Sequence, residues 1–414
     1  MAGTTHIIGA GLAGLSAAVT LSHAGRTVMV HEATQVAGGR CRSYYDAVLG
    51  MPIDNGNHLV LSGNHSVMAY LDALGARDGL TGPPSAEFPF FDLATREQWT
   101  LRFNDGRFPL WVFRSGRRVP DTHAVDYLPL LRLVWAPRSK SVGEVVRFTG
   151  SLYERLVRPL LLAALNIEPS AGSAGLASAI VRETLGAGGR ACRPLIAADG
   201  LGRALIEPAV NDLAKRGMPV RFGHQLHAMK TSGARIEALD FGSSTLPLDH
   251  DDDVILAVPP YAATALLPGL DAPNEFRAIV NAHYRIDAPP RQPRILGVLN
   301  GTTEWIFAFP GRVSVTVSAA DRLLEQPREA LAQTIWSEVA AATGLPPVLP
   351  PWQIVRERRA TFAATPEQDA RRPGPATRFP NLYLAGDWTN TGLPATIESA
   401  IRSGRRAADL AARP

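Results

Sequence analysis

Residues 5–42 constrain this chain more than any other stretch. An apolar run, His6-Ile7-Ile8, breaks into Gly9-Ala10-Gly11-Leu12-Ala13-Gly14, and a helical pattern through Leu15, Val19 and Leu21 runs on to Gly25. A second apolar run, Thr27-Val28-Met29-Val30, then stops at Glu32. Strand, glycine turn, helix, strand and acid in that order make the fingerprint of a dinucleotide site. Gly9 permits the tight turn, Gly11 lets backbone approach a pyrophosphate, and Gly14 lets helix and strand pack closely. Leu12 and Ala13 open the helix, whose free N–H groups and partial positive charge suit phosphates. Glu32, 18 residues past Gly14, stands where a carboxylate accepts hydrogen bonds from ribose hydroxyls.

Residues 2–25 carry no Lys, Arg, Asp or Glu, so a signal peptide or membrane span must be weighed against this reading. A signal peptide needs a basic region ahead of its apolar core, and none is present. Glycines mixed with Thr, Ser and His also suit a span poorly. The next long uncharged run, 254–270, holds Pro259, Pro260 and Pro268 and does not read as a span either. Two cysteines, Cys41 and Cys192, make neither a disulfide framework nor a metal site, and a reducing cytoplasm is compatible with them. With 414 residues, 46% of them apolar, the chain is long enough for two domains. The net charge of +4 reads as a solvated arginine-rich surface or as attraction to anionic lipid headgroups. Nucleic acid is disfavoured, because no long basic run is interleaved with aromatics.

Three further segments carry the chemistry. Gly38-Gly39-Arg40 follows the ribose acid, where backbone and guanidinium reach a far phosphate. Asp54-Asn55-Gly56-Asn57-His58 lies between apolar positions, with Asp54 read as a turn or backbone cap. Near the other end, a short apolar strand reaches Gly386-Asp387, a loop follows, and a helix begins near Pro394 or Ala395, with proline suited to its first turn.

These segments together resemble the glycine-doublet flavoprotein superfamily of amine oxidases, carotenoid desaturases and protoporphyrinogen oxidases. The resemblance implies FAD as cofactor. It also implies an α/β fold in which a Rossmann-like FAD-binding domain is interleaved with a mixed α+β substrate domain, as in amine oxidases and phytoene desaturases. By the same match, Gly39 and Arg40 belong to the pyrophosphate region, Gly56 and Asn57 pass beside the isoalloxazine ring, and His58 either faces the reaction site as a candidate acid or satisfies backbone groups near the cofactor. Gly386 and Asp387 contact the ribityl or phosphate region, and backbone near Thr396 and Ile397 approaches the pyrimidine edge of the flavin. A helix start there stabilises negative charge on the reduced ring. Glu398 matches the acid of the motif and is read as support, either of a helix end or of the residues around the flavin, instead of as a catalyst.

The expected domain boundaries are 1–80, 196–260 and 361–414 for the FAD domain and 81–195 and 261–360 for the substrate domain. Helices are expected over 65–80 (ending at Gly75), 128–135, 142–148 and 153–166, and through Leu205 to Leu213. Strands are expected at 88–91, 99–103, 111–113, 219–222, 236–239, 254–258, 295–299, 305–309 and 313–318. Asp249-His250-Asp251-Asp252-Asp253 reads as a solvated loop rather than a metal site.

The block 158–170, the segment 54–58 and the variant 392–404 look like the squalene-associated subgroup of this superfamily. That likeness implies replacement of the allylic hydroxyl of a hydroxylated squalene by hydrogen, at the expense of reduced FAD, in an apolar cavity. The implied partner is therefore an apolar isoprenoid, and the implied location is cytoplasmic, with peripheral contact on an anionic membrane. The alternatives are a carotenoid-type desaturase, another amine oxidoreductase, or a prenyl-protein carrier of the GDP-dissociation-inhibitor type that does no redox chemistry.

Overall fold

A computed structural model describes residues 3–413. Its organising layer is a four-stranded parallel sheet in the order Leu382–Leu384, Asp253–Leu256, Thr5–Ile8, Val28–His31. The strands are short and apolar because both faces are covered. Ile7, Val28, Val30 and Ile255 point to helices Leu12–His23 and Ile397–Ala411, whereas Ile8, Val254, Leu256 and Leu384 join a second core with a small antiparallel meander. That meander is Ala228–Ser232, Arg235–Asp240 and Thr245–Pro247. The two helices lie in unusually close contact. A Cβ at Gly404 would come within 2.0 Å of the Ala13 carbonyl oxygen.

The second layer is a seven-stranded mixed sheet in the order Trp352–Phe362, Phe276–Arg285, Arg312–Val317, Trp305–Phe309, Ile295–Leu299, Glu87–Asp92, Gln98–Arg102. Helix Arg328–Thr343 buries Leu331, Ile335, Trp336 and Val339 against one face, and the Tyr284 hydroxyl donates to the Ala332 carbonyl at 2.8 Å. Chain from distant parts of the sequence therefore meets in each layer.

Most expected elements form, and the departures have physical reasons. Residues 110–113 make a 3₁₀ turn rather than a strand. Trp111 turns inward against Phe103 and Tyr127, with ring centroids 4.9 and 5.2 Å away, so the segment curls around an aromatic anchor. Residues 219–222 contribute only a single parallel bridge, His31 to Arg221. The helices expected at 153–166 and through Leu205 to Leu213 each open with a π turn, Tyr153–Val157 and Gly202–Ile206. Each π turn runs into a proline, Pro159 or Pro208, whose missing N–H breaks the regular ladder. After the strand Asp253–Leu256, the proline pair opens a short helix, Pro260–Leu266. Helix Ala174–Glu183, capped by Ser173, escaped the sequence reading.

The acidic loop 249–253 also needs correction. Asp252 is buried, not solvated, and its carboxylate accepts from the Thr4 N–H at 2.7 Å and the Asp249 N–H at 2.9 Å. No metal-binding group of side chains exists among the described residues.

Candidate active site

The glycine turn folds as a tightly closed loop. Gly9 has φ of 106°, a left-handed value, and a Cβ on Gly14 would sit 1.9 Å from the Gly9 carbonyl oxygen. Gly11 differs: a Cβ there meets nothing within 4 Å, so its face opens onto free space. Gly39 borders the same space, with its nearest neighbour the Gly11 Cα at 3.7 Å. The Gly38 N–H donates to the Ala10 carbonyl at 2.8 Å and stitches the two glycine turns together. Helix Leu12–His23 has no side-chain cap and no acid in its first turn, and the N–H groups of Leu12, Ala13 and Gly14 find no acceptor among the described residues. Unpaired donors at a helix start suit an anion. Glu32 stands beside them. One carboxylate oxygen accepts from the Ala10 N–H at 2.8 Å, the other from Thr34 N–H and hydroxyl at 2.9 and 2.8 Å.

The two ends of the chain meet here. The Arg40 guanidinium donates to Asp387 at 2.7 Å and to the Ala360 carbonyl. Part of the Arg40 guanidinium stays accessible beside this ion pair. The Gly386 N–H donates to the Ser403 hydroxyl at 2.8 Å, fixing the start of the loop. The 387–391 backbone is held from beneath by Arg372, which sequence reasoning missed. Its buried guanidinium donates to the carbonyls of Asp387, Trp388 and Thr389 and to Asp369, which also receives Arg138. Trp388, buried, donates its indole N–H to the Val258 carbonyl at 2.9 Å.

Thr396 caps helix Ile397–Ala411, its hydroxyl accepting from the Ser399 N–H at 3.1 Å, while the Ile397 and Glu398 N–H groups keep no protein acceptor among the described residues. Glu398 is turned away from this opening. It accepts from the N–H groups of Ser66 and Val67, at the start of helix His65–Leu74, and from Arg402. Of the two supporting roles open to it, it takes that of helix-end support.

The segment 54–58 crosses from one layer to the other. Asp54 is buried and caps the Leu201 N–H at 2.8 Å while accepting from Ser43 at 2.5 Å and Arg312 at 3.4 Å. Gly56 lies against the Asn281 side chain, and the Asn57 amide donates to the Val315 carbonyl and the Thr316 hydroxyl. Asn57 thus fastens the segment to the seven-stranded sheet, leaving its own amide oxygen unpaired. His58 is enclosed by protein yet keeps some accessible surface. Burial pushes its imidazole down to about 4, against the opposing pull of Asp54. At pH 7 this favours the neutral imidazole in the cofactor-free protein. Among enclosed acids, Glu304 stands out: burial pushes its carboxyl up to about 7, although it accepts from the Ser318 N–H at 2.8 Å. The buried thiols of Cys41 and Cys192 are pushed up to about 12, which excludes a reactive thiolate.

The open face at Gly11 and Gly39, the two helix starts with unpaired donors and the carboxylate of Glu32 fit an elongated dinucleotide lying between them. The chain belongs to the family of flavin-containing amine oxidoreductases, whose sequence pattern matches residues 12–412. It is an FAD-dependent oxidoreductase. A protein of Rhodopseudomonas palustris named hydroxysqualene dehydroxylase is 59% identical over 411 residues, covering 99% of this chain and 98% of its own length. Another of that name, from Zymomonas mobilis, is 46% identical over 407 residues, covering 98% of each. Among solved structures, cyclohexylamine oxidase from Brevibacterium oxydans superposes with a TM-score of 0.71 at 15% identity over 99% of both chains, which speaks for the fold alone.

Proposed function

We propose that this enzyme removes the hydroxyl of hydroxysqualene and puts hydrogen in its place, giving squalene. The observation that carries the reading is the 59% identity to a hydroxysqualene dehydroxylase over nearly the whole of both chains. Reduced FAD, when bound, supplies the hydride; the chain's own residues do the rest. The N–H groups of Leu12, Ala13 and Gly14, beside Gly9, Gly11 and Gly39, would hold the pyrophosphate, and Glu32 the adenosine ribose. Gly386, Asp387 and its partner Arg40 would hold the middle of the cofactor. The helix start at Thr396 and Ile397 would favour negative charge at the end of the ring. Gly56, Asn57 and His58 would line the ring's edge, with His58 as a neutral hydrogen-bonding wall. Loss of an allylic hydroxyl as water needs a proton and a site closed to bulk solvent.

The FAD domain is taken as 1–80, 196–260 and 361–414, and the substrate domain as 81–195 and 261–360. In support, the parallel sheet lies wholly in the first set, and the seven-stranded sheet lies in the second save the end of Trp352–Phe362. No helix among the described residues is long and apolar enough to cross a membrane. A cytoplasmic enzyme touching the membrane surface is the arrangement that brings a water-insoluble substrate within reach.

The test is anaerobic. Flavin is photoreduced on the purified protein and hydroxysqualene is added; reoxidation together with squalene is the expected result. Turnover of a carotene or an amine instead, with no reoxidation by the alcohol, would sink the reading.

A further inference from the structure

Large apolar side chains that remain exposed are scattered singly over most of the surface, as in any soluble protein. One segment breaks that pattern. Of the thirteen such residues among those described, seven fall between positions 108 and 135. They include Phe108 at 81% exposure, Phe113 at 70% and Trp135 at 80%.

This exposure is built in rather than a symptom of loose chain. The loop is anchored from below by Phe103, Trp111 and Tyr127, whose rings meet edge to face. The Asn104 amide donates to the Gly106 and Phe108 carbonyls, and the Tyr127 hydroxyl accepts from the Val119 N–H at 3.1 Å. Helix Pro129–Val134 buries Leu130 and Leu133 on its inner side and is fixed by Ser178, which donates to the Val134 carbonyl at 2.7 Å. Leu128, Leu131 and Trp135 face outward. The helix is thus apolar on both sides, which water alone does not reward.

Charge says what covers the outer side. Between positions 107 and 135 there are five arginines against two aspartates, an excess of three, where the whole chain has an excess of only four. Arg107, Arg114 and Arg132 are exposed. Neither aspartate neutralises them: Asp121 faces Arg155, and Asp126 caps the His123 N–H. Rigid apolar side chains interspersed with unneutralised arginines match the boundary of an anionic bilayer, where apolar groups enter the acyl region and guanidinium groups meet phosphates.

We propose that the surface formed by residues 108–135 docks this enzyme on anionic phospholipid bilayers. The inner side of the same segment, through Trp111, Tyr127 and Leu130, belongs to an apolar cluster that continues inward to Phe90 and Trp388. Docking there would bring a lipid-dissolved substrate to the outer side of the apolar cluster that packs against the C-terminal flavin loop. That last step rests on the proposed isoprenoid substrate; the docking itself does not.

The experiment mixes the full-length holoenzyme with vesicles of phosphatidylglycerol and phosphatidylcholine, or of phosphatidylcholine alone, and measures the co-sedimenting fraction. Binding to the anionic vesicles that weakens with salt is expected. Two triple variants, Phe108→Ser/Phe113→Ser/Trp135→Ser and Arg107→Glu/Arg114→Glu/Arg132→Glu, are each expected to bind at least about tenfold more weakly. Both are expected to keep the flavin spectrum and micellar turnover, which shows that they are folded. Variants that bind as the parent does, or a parent that ignores anionic vesicles, overturn the proposal. So does a solution dimer that Trp135→Ser dissociates, which would make the patch a contact between two copies. Because vesicle binding is read without substrate, a failed dehydroxylation assay beside intact binding counts against the substrate reading alone.

Discussion

The two helices that flank the proposed cofactor path begin in opposite ways. Helix Leu12–His23 starts at a glycine, with no side-chain cap, no acid in its first turn and three unpaired N–H groups. Helix Ile397–Ala411 starts at Thr396, which caps it, and carries Glu398 in its first turn. That acid is spent on the neighbouring helix His65–Leu74 and on Arg402, so it does not cancel the positive end of its own helix toward the opening. The first start leaves every donor to a ligand carrying full charge. The second satisfies itself in part and keeps only the Ile397 and Glu398 donors, enough for a group that gains charge only when reduced. The degree of capping thus follows the charge to be met.

The sharpest way to break this contrast is Gly11→Val. A Cβ at this position meets no protein atom within 4 Å, and the branched side chain extends into the space in front of the uncapped start. FAD affinity is expected to fall about 100-fold, equivalent to about 2.8 kcal/mol, with the circular dichroism spectrum retained. A variant that stays yellow through gel filtration would remove the phosphate from that helix. Next comes Gly404→Ala, which drives a methyl group into the Ala13 carbonyl and spoils both helices at once. A loss of about 3 kcal/mol in urea unfolding is expected. Glu398→Ala orphans the start of helix His65–Leu74 and is expected to cost about 2 kcal/mol, while Glu398→Gln recovers part of it. Thr396→Ala removes only the self-satisfied cap, at about 1 kcal/mol, with little change in FAD affinity. A large affinity loss there would show that the second start grips the ligand as firmly as the first.

The contrast also sits on a pH slope that belongs to neither helix start. Desolvation lowers His31 and His283 to about 3 and His58 to about 4, all below the ordinary 6.5. As pH falls from 6.5 toward 4, the unfolded chain takes up protons that the folded chain refuses, so stability drops across that window. His58→Asn is expected to flatten the slope in denaturant titrations between pH 4 and 7 without changing stability at pH 8.

The glycine cradle was legible in the sequence because its logic is local: Gly9, Gly11, Gly14 and Glu32 fall within one strand–helix–strand unit. Glu398 was legible through its place in the C-terminal motif. The clamp of Arg372 on the 387–391 backbone was not, because Arg371-Arg372-Pro373-Gly374-Pro375 reads as a surface loop and only tertiary packing buries one of the two arginines. The pairing of Arg40 with Asp387 was hidden for the same reason, since nothing local signals a contact across 347 residues. Residues 110–113 misled in the opposite direction: Trp-Val-Phe suits a strand by propensity, and the demand of Trp111 for an aromatic niche overrode it. His58 was placed by motif, but its neutrality follows from the depth of its enclosure, which no local pattern encodes.

The central strand Thr5–Ile8 pairs on one side with Asp253–Leu256, and that strand in turn with Leu382–Leu384. On a ribosome adding about 5 to 20 residues per second, the first strand waits on the order of ten to fifty seconds for its neighbour. During that interval an apolar edge stands bare, and flavin has only half a berth. The berth for the flavin is therefore complete only once Leu382–Leu384 has joined the sheet, however early the glycine turn folds.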